Sequence, residues 1–169
     1  MIYFIKILRP LNLLITLFCI VLSAHILDQL TYAIVPLITV ILLLGGFANI
    51  INDIFDYKID QQNRPNRPLA SNNISINSAI IYAFLLLSIS LMIIFIYNFN
   101  FITKILILAL NMPLIILYTP LFKQIPLLGN LMIAFILSMV FIVTATYLDS
   151  EINLILPSAI LAFLLMSIR

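Results

Sequence analysis

The sequence predicts an all-α fold, a polytopic bundle of transmembrane helices, and three observations carry that prediction. Of 169 residues, 64% are hydrophobic and only 8% are charged. A water-facing domain uses about a quarter charged residues, so this chain has too few to clothe such a surface. Apolar runs of roughly 18–20 residues, the length a helix needs to cross a bilayer, recur along the chain. The Lys and Arg residues gather at alternate ends of those runs, as the positive-inside bias requires. The same composition offers no accessible basic face for a nucleic acid.

Six spans follow in order, at about residues 10–27, 32–52, 77–97, 101–121, 127–147 and 153–168, within one domain covering 1–169. The first has Lys6 and Arg9 ahead of it and a small Ser23-Ala24 pair inside, like a signal peptide. Its apolar run continues to Leu27 and more spans follow, so it is expected to be retained. Cys19 is the only cysteine, which excludes an intrachain disulfide and leaves it a packing role in mid-helix. His25 is equally alone and is expected at the interface. The longest connection runs from Asp53 to Asn77. Within it Pro65 and Pro68 prevent a continuous helix, residues 71–75 form a turn, and Ser75 is the candidate cap of the third span. Pro113 and Pro120 are expected to kink or end the fourth span.

With the N-terminus inside, Lys6, Arg9, Lys58, Arg64, Arg67, Lys123 and Arg169 fall on the cytoplasmic side and only Lys104 falls outside. Asp28, Asp149 and Glu151 lie on the outer side as well. The expected location is the cell membrane, with the loop after the second span facing the cytoplasm.

That loop begins in the most informative stretch of the chain, Asn49 to Asp60. If the second helix continues through it at about 100° per residue, Asn49, Asn52, Asp53, Asp56 and Asp60 share one arc of about 100°. Carboxylates at a membrane boundary are costly, and three on one face repel one another unless a cation neutralises them. Oxygen ligands without His or Cys suit a hard ion, and Mg²⁺ commonly takes one or two carboxylates and fills its other positions with water and substrate phosphate. Arg64 and Arg67 follow directly, with Lys58 nearby and Lys123 in the next inner loop. Guanidinium forks bind phosphate oxygens in pairs. Acids for a metal beside cations for phosphate describe a diphosphate site, although Lys58, on the far side of the helix, reads better as a topology marker.

The run Asn52-Asp53-x-x-Asp56-x-x-x-Asp60, followed by Asn63-Arg64-Pro65-x-Arg67-Pro68-Leu69-Ala70-Ser71, resembles the first aspartate-rich motif of the UbiA superfamily of intramembrane prenyltransferases. Arg9-Pro10-x-Asn12 is similar to that family's opening, and Tyr118 to Lys123, with Pro126 and Gly129-Asn130, resembles its stretch after the fourth helix. The direct step from Asp60 to Asn63-Arg64-Pro65 is most similar to the branch that transfers a geranylgeranyl group to geranylgeranylglyceryl phosphate. The resemblance implies a membrane fold of nine spans around a central cavity, with Mg²⁺ and a polyprenyl diphosphate held by two aspartate-rich motifs. It implies metal ligation by Asn52, Asp53, Asp56 and Asp60, and catalytic roles for Asp56, Asp60 and Lys123. Substrate contacts are implied for Arg9, Asn12, Arg64, Arg67 and Tyr118.

Two departures accompany the resemblance. The family's tyrosine and lysine are usually four apart, whereas Tyr118 and Lys123 are five apart with Pro120 between. The chain also stops at Arg169, where the second motif is expected, so six spans of nine and half the ligands are expected here. Two alternatives stay open: an aromatic quinone precursor as the acceptor, and a partial chain without turnover. Gly45 and Gly46 either leave room for a prenyl chain or pack helices closely.

Overall fold

Each apolar run is helical in the computed structural model, which describes residues 2–123, 125 and 127–168; Pro126 and Arg169 lie outside the described residues. A short helix α1 (Ile2–Lys6) leads into α2 (Pro10–Ile26). After a 3-10 turn (Tyr32–Ile34) come α3 (Val35–Phe55), α4 (Tyr57–Asn63) and α5 (Ile76–Ile96). The fourth span is composite: α6 (Phe101–Lys104), a π-helical stretch (Ile105–Asn111), α7 (Met112–Leu117) and a second π-helical stretch (Tyr118–Phe122). Helices α8 (Leu128–Tyr147) and α9 (Ile152–Ser167) complete the order, and no strand occurs among the described residues.

Four of these stretches, Tyr32–Phe55, Ile76–Ile96, Phe101–Phe122 and Leu128–Tyr147, are long and apolar enough to cross a membrane. Helices α2 and α9 are shorter, at 17 and 16 residues. At 1.5 Å per residue they reach about 25 Å, a little under the roughly 30 Å hydrocarbon core. The first begins only after Arg9, whose left-handed backbone (φ 53°) separates α1 from α2.

Helix α3 packs along α5 and against α2 and the fourth span, while α8 lies along α9 and α2. The N-terminal half of α3 contributes Leu37, Val40 and Leu44 to a core with Ile20, Ile94, Phe99, Ile107 and Val143. The C-terminal half of α3 contributes Phe47 and Ile50 to a second core with Ile7, Leu69, Ile74, Ala79 and Leu86. Gly46 lies at that second contact. A Cβ there would meet Leu8 Cδ2 at 3.0 Å and Leu86 Cδ1 at 3.3 Å, and one on Gly45 would meet Leu13 Cδ2 at 3.0 Å. Both glycines therefore lie close against neighbouring leucine side chains.

The two ends of the bundle are tied differently. At the end holding the α2–α3 and α8–α9 connections, neutral groups dominate: Asn100 donates to Asp149 Oδ1 (2.9 Å), Gln29 to Ser150 Oγ (2.7 Å) and Tyr147 to the Ala33 carbonyl (2.8 Å). At the other end the ties are ionic.

Two expectations about local structure need correction. The second span does not run unbroken through Asp60. It stops at Phe55, turns at Asp56 (ψ −2°) and restarts as α4, although the Asp56 and Asp60 amides still reach the carbonyls four residues back. Nor does Pro113 end the fourth span. The π-helical stretch before it widens the backbone spacing, so the helix continues to Phe122. Ser75 does cap α5, its Oγ accepting from the Ser78 amide at 3.1 Å.

Candidate functional site

Four separate pieces of chain deliver charged side chains to one end of the bundle. The last turn of α3 carries Asn52 and Asp53, the break carries Asp56 and α4 carries Asp60. All three carboxylates are buried, at 2%, 8% and 5% exposure respectively. Ionised groups so placed persist only when paired.

Arg67 reaches them because its loop is anchored on both sides. Leu69 and Ile74 sink into the second core, the Ile74 amide donates to the Pro68 carbonyl (3.2 Å), and Ser71 Oγ donates to the Arg67 carbonyl (2.8 Å). Arg67 Nη1 then stands 2.5 Å from Asp60 Oδ2, 3.2 Å from Asp53 Oδ1 and 3.9 Å from Asp56 Oδ2. Arg9 arrives from the turn between α1 and α2, where Asn49 donates to the Leu8 carbonyl at 2.8 Å, and pairs with Asp53. Asn49 thus serves the backbone, where the sequence placed it on the ligand arc.

Lys123 comes from the end of the fourth span. Its amide bonds to the Tyr118 carbonyl, five residues back, at 2.8 Å. A π-turn of this kind accommodates one residue more than an α-turn, which absorbs the fifth position between Tyr118 and Lys123; such turns recur at functional sites. The ammonium pairs with Asp56 and lies 3.3 Å from Asn52 Oδ1. Asn52 Nδ2 in turn donates to Asp56 Oδ2 at 3.1 Å. Three carboxylates thus face three cationic side chains, and the set is charge-balanced.

Other residues named from the sequence stand apart. Arg64, Lys58 and Asn12 are exposed and outside the network, and Tyr118 is half-buried beside it. Thr119, absent from the sequence argument, is buried with its Oγ1 3.4 Å from Asn52 Oδ1. Its only signal was adjacency to Tyr118. Asn111, two turns deeper in the same span, is also buried and its Oδ1 has no hydrogen-bond partner among the described residues. A single asparagine in an apolar run carried no sequence signal.

The oxygens gathered here are those of carboxylates, an amide and a hydroxyl, with no His or Cys among the residues of the network, a donor type that suits a hard divalent cation. Among the described residues, no group of three acidic, His or Cys side chains is placed to hold a metal ion, and Arg67 Nη1 lies within 4 Å of an oxygen of each of the three aspartates.

The chain is thus an apolar helical bundle bearing a buried, charge-balanced set of acids and bases at one end. Comparison with known proteins gives that class its family. The chain belongs to the UbiA prenyltransferase family, whose model matches residues 12–168. It is similar to the digeranylgeranylglyceryl phosphate synthase of Methanococcus aeolicus, with 33% identity over 159 residues covering 91% of this chain and 56% of that one. It is also similar to the enzyme of that name from Methanobrevibacter smithii, with 32% identity over 162 residues covering 95% and 57%. A solved structure of a digeranylgeranylglyceryl phosphate synthase shares the fold, with a TM-score of 0.80, 23% identity, and coverage of 98% of this chain and 57% of that one. The chain spans a little over half the length of these relatives.

Proposed function

We propose that the protein transfers a geranylgeranyl group from its diphosphate to geranylgeranylglyceryl phosphate at the cytoplasmic face of the cell membrane. The observation that carries this reading is the convergence of Asp53, Asp56 and Asp60 with Arg9, Arg67 and Lys123 at one buried end of the bundle. The names of the relatives support the choice of donor and acceptor. The gathering of Lys and Arg at that end supports its cytoplasmic placement.

In this reading Asn52, Asp56 and Asp60 hold Mg²⁺, which when bound supplies positive charge to the departing diphosphate. Arg9, Arg67 and Lys123 turn from their carboxylates to the phosphate oxygens, where forked and single donors meet charge as it develops on the leaving group. Asp53, the most buried of the three acids, keeps Arg9 and Arg67 in register. The apolar walls of α2, α3 and the fourth span would shield the allylic carbon from water until the acceptor hydroxyl oxygen bonds to it, the carbon–diphosphate bond breaking and the hydroxyl proton passing to the released diphosphate.

The test is an assay on membranes containing the protein, supplied with geranylgeranyl diphosphate and geranylgeranylglyceryl phosphate, with the lipid product identified by mass spectrometry. A Mg²⁺-dependent diether product is expected, reduced about 100-fold or more by Asp60→Asn. Prenylation of a 4-hydroxybenzoate acceptor with none of the glycerophosphate would reassign the acceptor. No Mg²⁺-dependent consumption of the diphosphate would overturn the proposal.

A further inference from the structure

The fourth span turns one row of side chains into the bundle. Ile107 belongs to the first core, Ile115 packs against the second, Thr119 Oγ1 stands 3.4 Å from Asn52 Oδ1, and Lys123 pairs with Asp56. The row keeps a spacing of four residues. In an α-helix of 3.6 residues per turn, each such step drifts off the face by about 40°. The π-helical stretches Ile105–Asn111 and Tyr118–Phe122 hold more residues per turn and bring the row back.

Asn111 fills the place between Ile107 and Ile115. It is 8% exposed, and its Oδ1 has no hydrogen-bond donor among the described residues. It lies halfway along the apolar span Phe101–Phe122, at a depth that bulk water does not reach. A buried oxygen without a donor is costly to keep, and an apolar side chain of the same size would remove the cost. From Thr119 to Asn111 the row descends at most about 12 Å, at 1.5 Å per residue. A diphosphate held beside Asn52 lays its ester oxygen and first isoprene carbons along that depth.

We infer that Asn111 is a catalytic residue whose Oδ1 faces the first isoprene unit of the donor and stabilises the positive charge that develops there. The inference rests on the diphosphate-site reading above and deepens it. When the carbon–oxygen bond breaks, its electron pair leaves with the diphosphate, and the positive charge is shared between the first and third carbons of the chain. A fixed amide oxygen offers that charge the negative end of a dipole without reorganisation. The missing donor is then part of the device. A water or hydroxyl bound to Oδ1 would draw off its negative charge and could itself capture the cation, whereas an amide oxygen held in the span stays out of the product. The acceptor hydroxyl then bonds to the first carbon, and its proton passes to the diphosphate.

The test is Asn111→Leu, close in size and without the dipole, read by activity, binding and stability together. In membranes supplied with geranylgeranyl diphosphate and geranylgeranylglyceryl phosphate, kcat is expected to fall about 100-fold, the scale of losing one preorganised dipole. The KM for the acceptor and the affinity for the non-cleavable thiolo analogue of the diphosphate should not change. Thermal unfolding in detergent should move to higher temperature, because the unpaired oxygen is gone. A structural role moves these readouts differently. Lower stability of the variant, failure to fold included, would make Asn111 a packing residue and overturn the inference. A raised acceptor KM with kcat retained would overturn it in favour of an acceptor contact. Unchanged kinetics would overturn it and leave the diphosphate site intact, whereas a wild type that consumes no diphosphate would overturn the underlying reading as well.

Discussion

Asp53→Asn is the substitution that most sharply separates a positioning role from a ligand role. The asparagine keeps the shape and removes the charge that two guanidiniums share. Loss of one partner from a fully buried ion pair costs about 3–5 kcal/mol. Two features of this pair lower the figure. The Arg9 side chain is 30% exposed and regains some hydration, and Arg67 keeps Asp60 at 2.5 Å. The expected loss is about 2–3 kcal/mol, which for a chain of this size lowers the midpoint of thermal unfolding by about 4–12 °C. The assay is the fraction of monodisperse protein left after heating in detergent, without added metal or diphosphate. Arg9→Gln alone should cost a similar amount, and the double variant should cost less than the sum by about 1–2 kcal/mol, because the two residues act as one pair. Unchanged stability of Asp53→Asn in the metal-free protein, with a loss confined to metal-dependent binding, would refute the reasoning and make Asp53 a ligand.

Two further predictions concern the frame that carries the site. Gly46→Leu should destabilise the protein by about 1–3 kcal/mol through overpacking against Leu8 and Leu86. Gly46→Ala should be tolerated, since the atoms it meets are the far ends of flexible side chains; equal thermal stability of the Leu variant and the wild type would contradict the packing role. In a Cys19→Ala background, single cysteines at positions 58 and 64 should be labelled from the cytoplasmic side and those at 104 and 149 from the other. Labelling of 64 and 104 from the same side would reject the topology.

The helices and the acidic motif were legible in the sequence because both are written locally. Apolar runs of about 20 residues can hardly be anything but spans, and the observed ends lie within a few residues of those expected, as at Ile76–Ile96 and Leu128–Tyr147. The arc of Asn52, Asp53, Asp56 and Asp60 follows from spacings of three and four. What stayed hidden depends on distant contacts or on backbone irregularity. Asp53 pairs with Arg9, 44 residues earlier, and no periodicity joins them. Which arginine of the loop turns inward was decided by Leu69 and Ile74 anchoring Arg67, a packing choice that left Arg64 in solvent. The extra residue between Tyr118 and Lys123 looked like a defect until the π-turn absorbed it. Asn49 carries the same oxygen as Asn52, yet its amide is spent on the Leu8 carbonyl.

The most direct test of the central claim is to locate the metal and the diphosphate. A structure of the protein in lipid, determined with Mn²⁺ and a non-cleavable thiolo analogue of geranylgeranyl diphosphate, would do so through the anomalous signal of the metal. The account predicts Mn²⁺ bound by oxygens of Asn52, Asp56 and Asp60 at about 2.0–2.2 Å, with Arg67 and Lys123 turned onto the phosphates and Asp53 still paired with Arg9. Metal and diphosphate bound elsewhere, such as the hollow lined by Tyr32, Tyr97 and Tyr147 at the opposite end of the bundle, with the Arg67 ion pairs undisturbed, would contradict it.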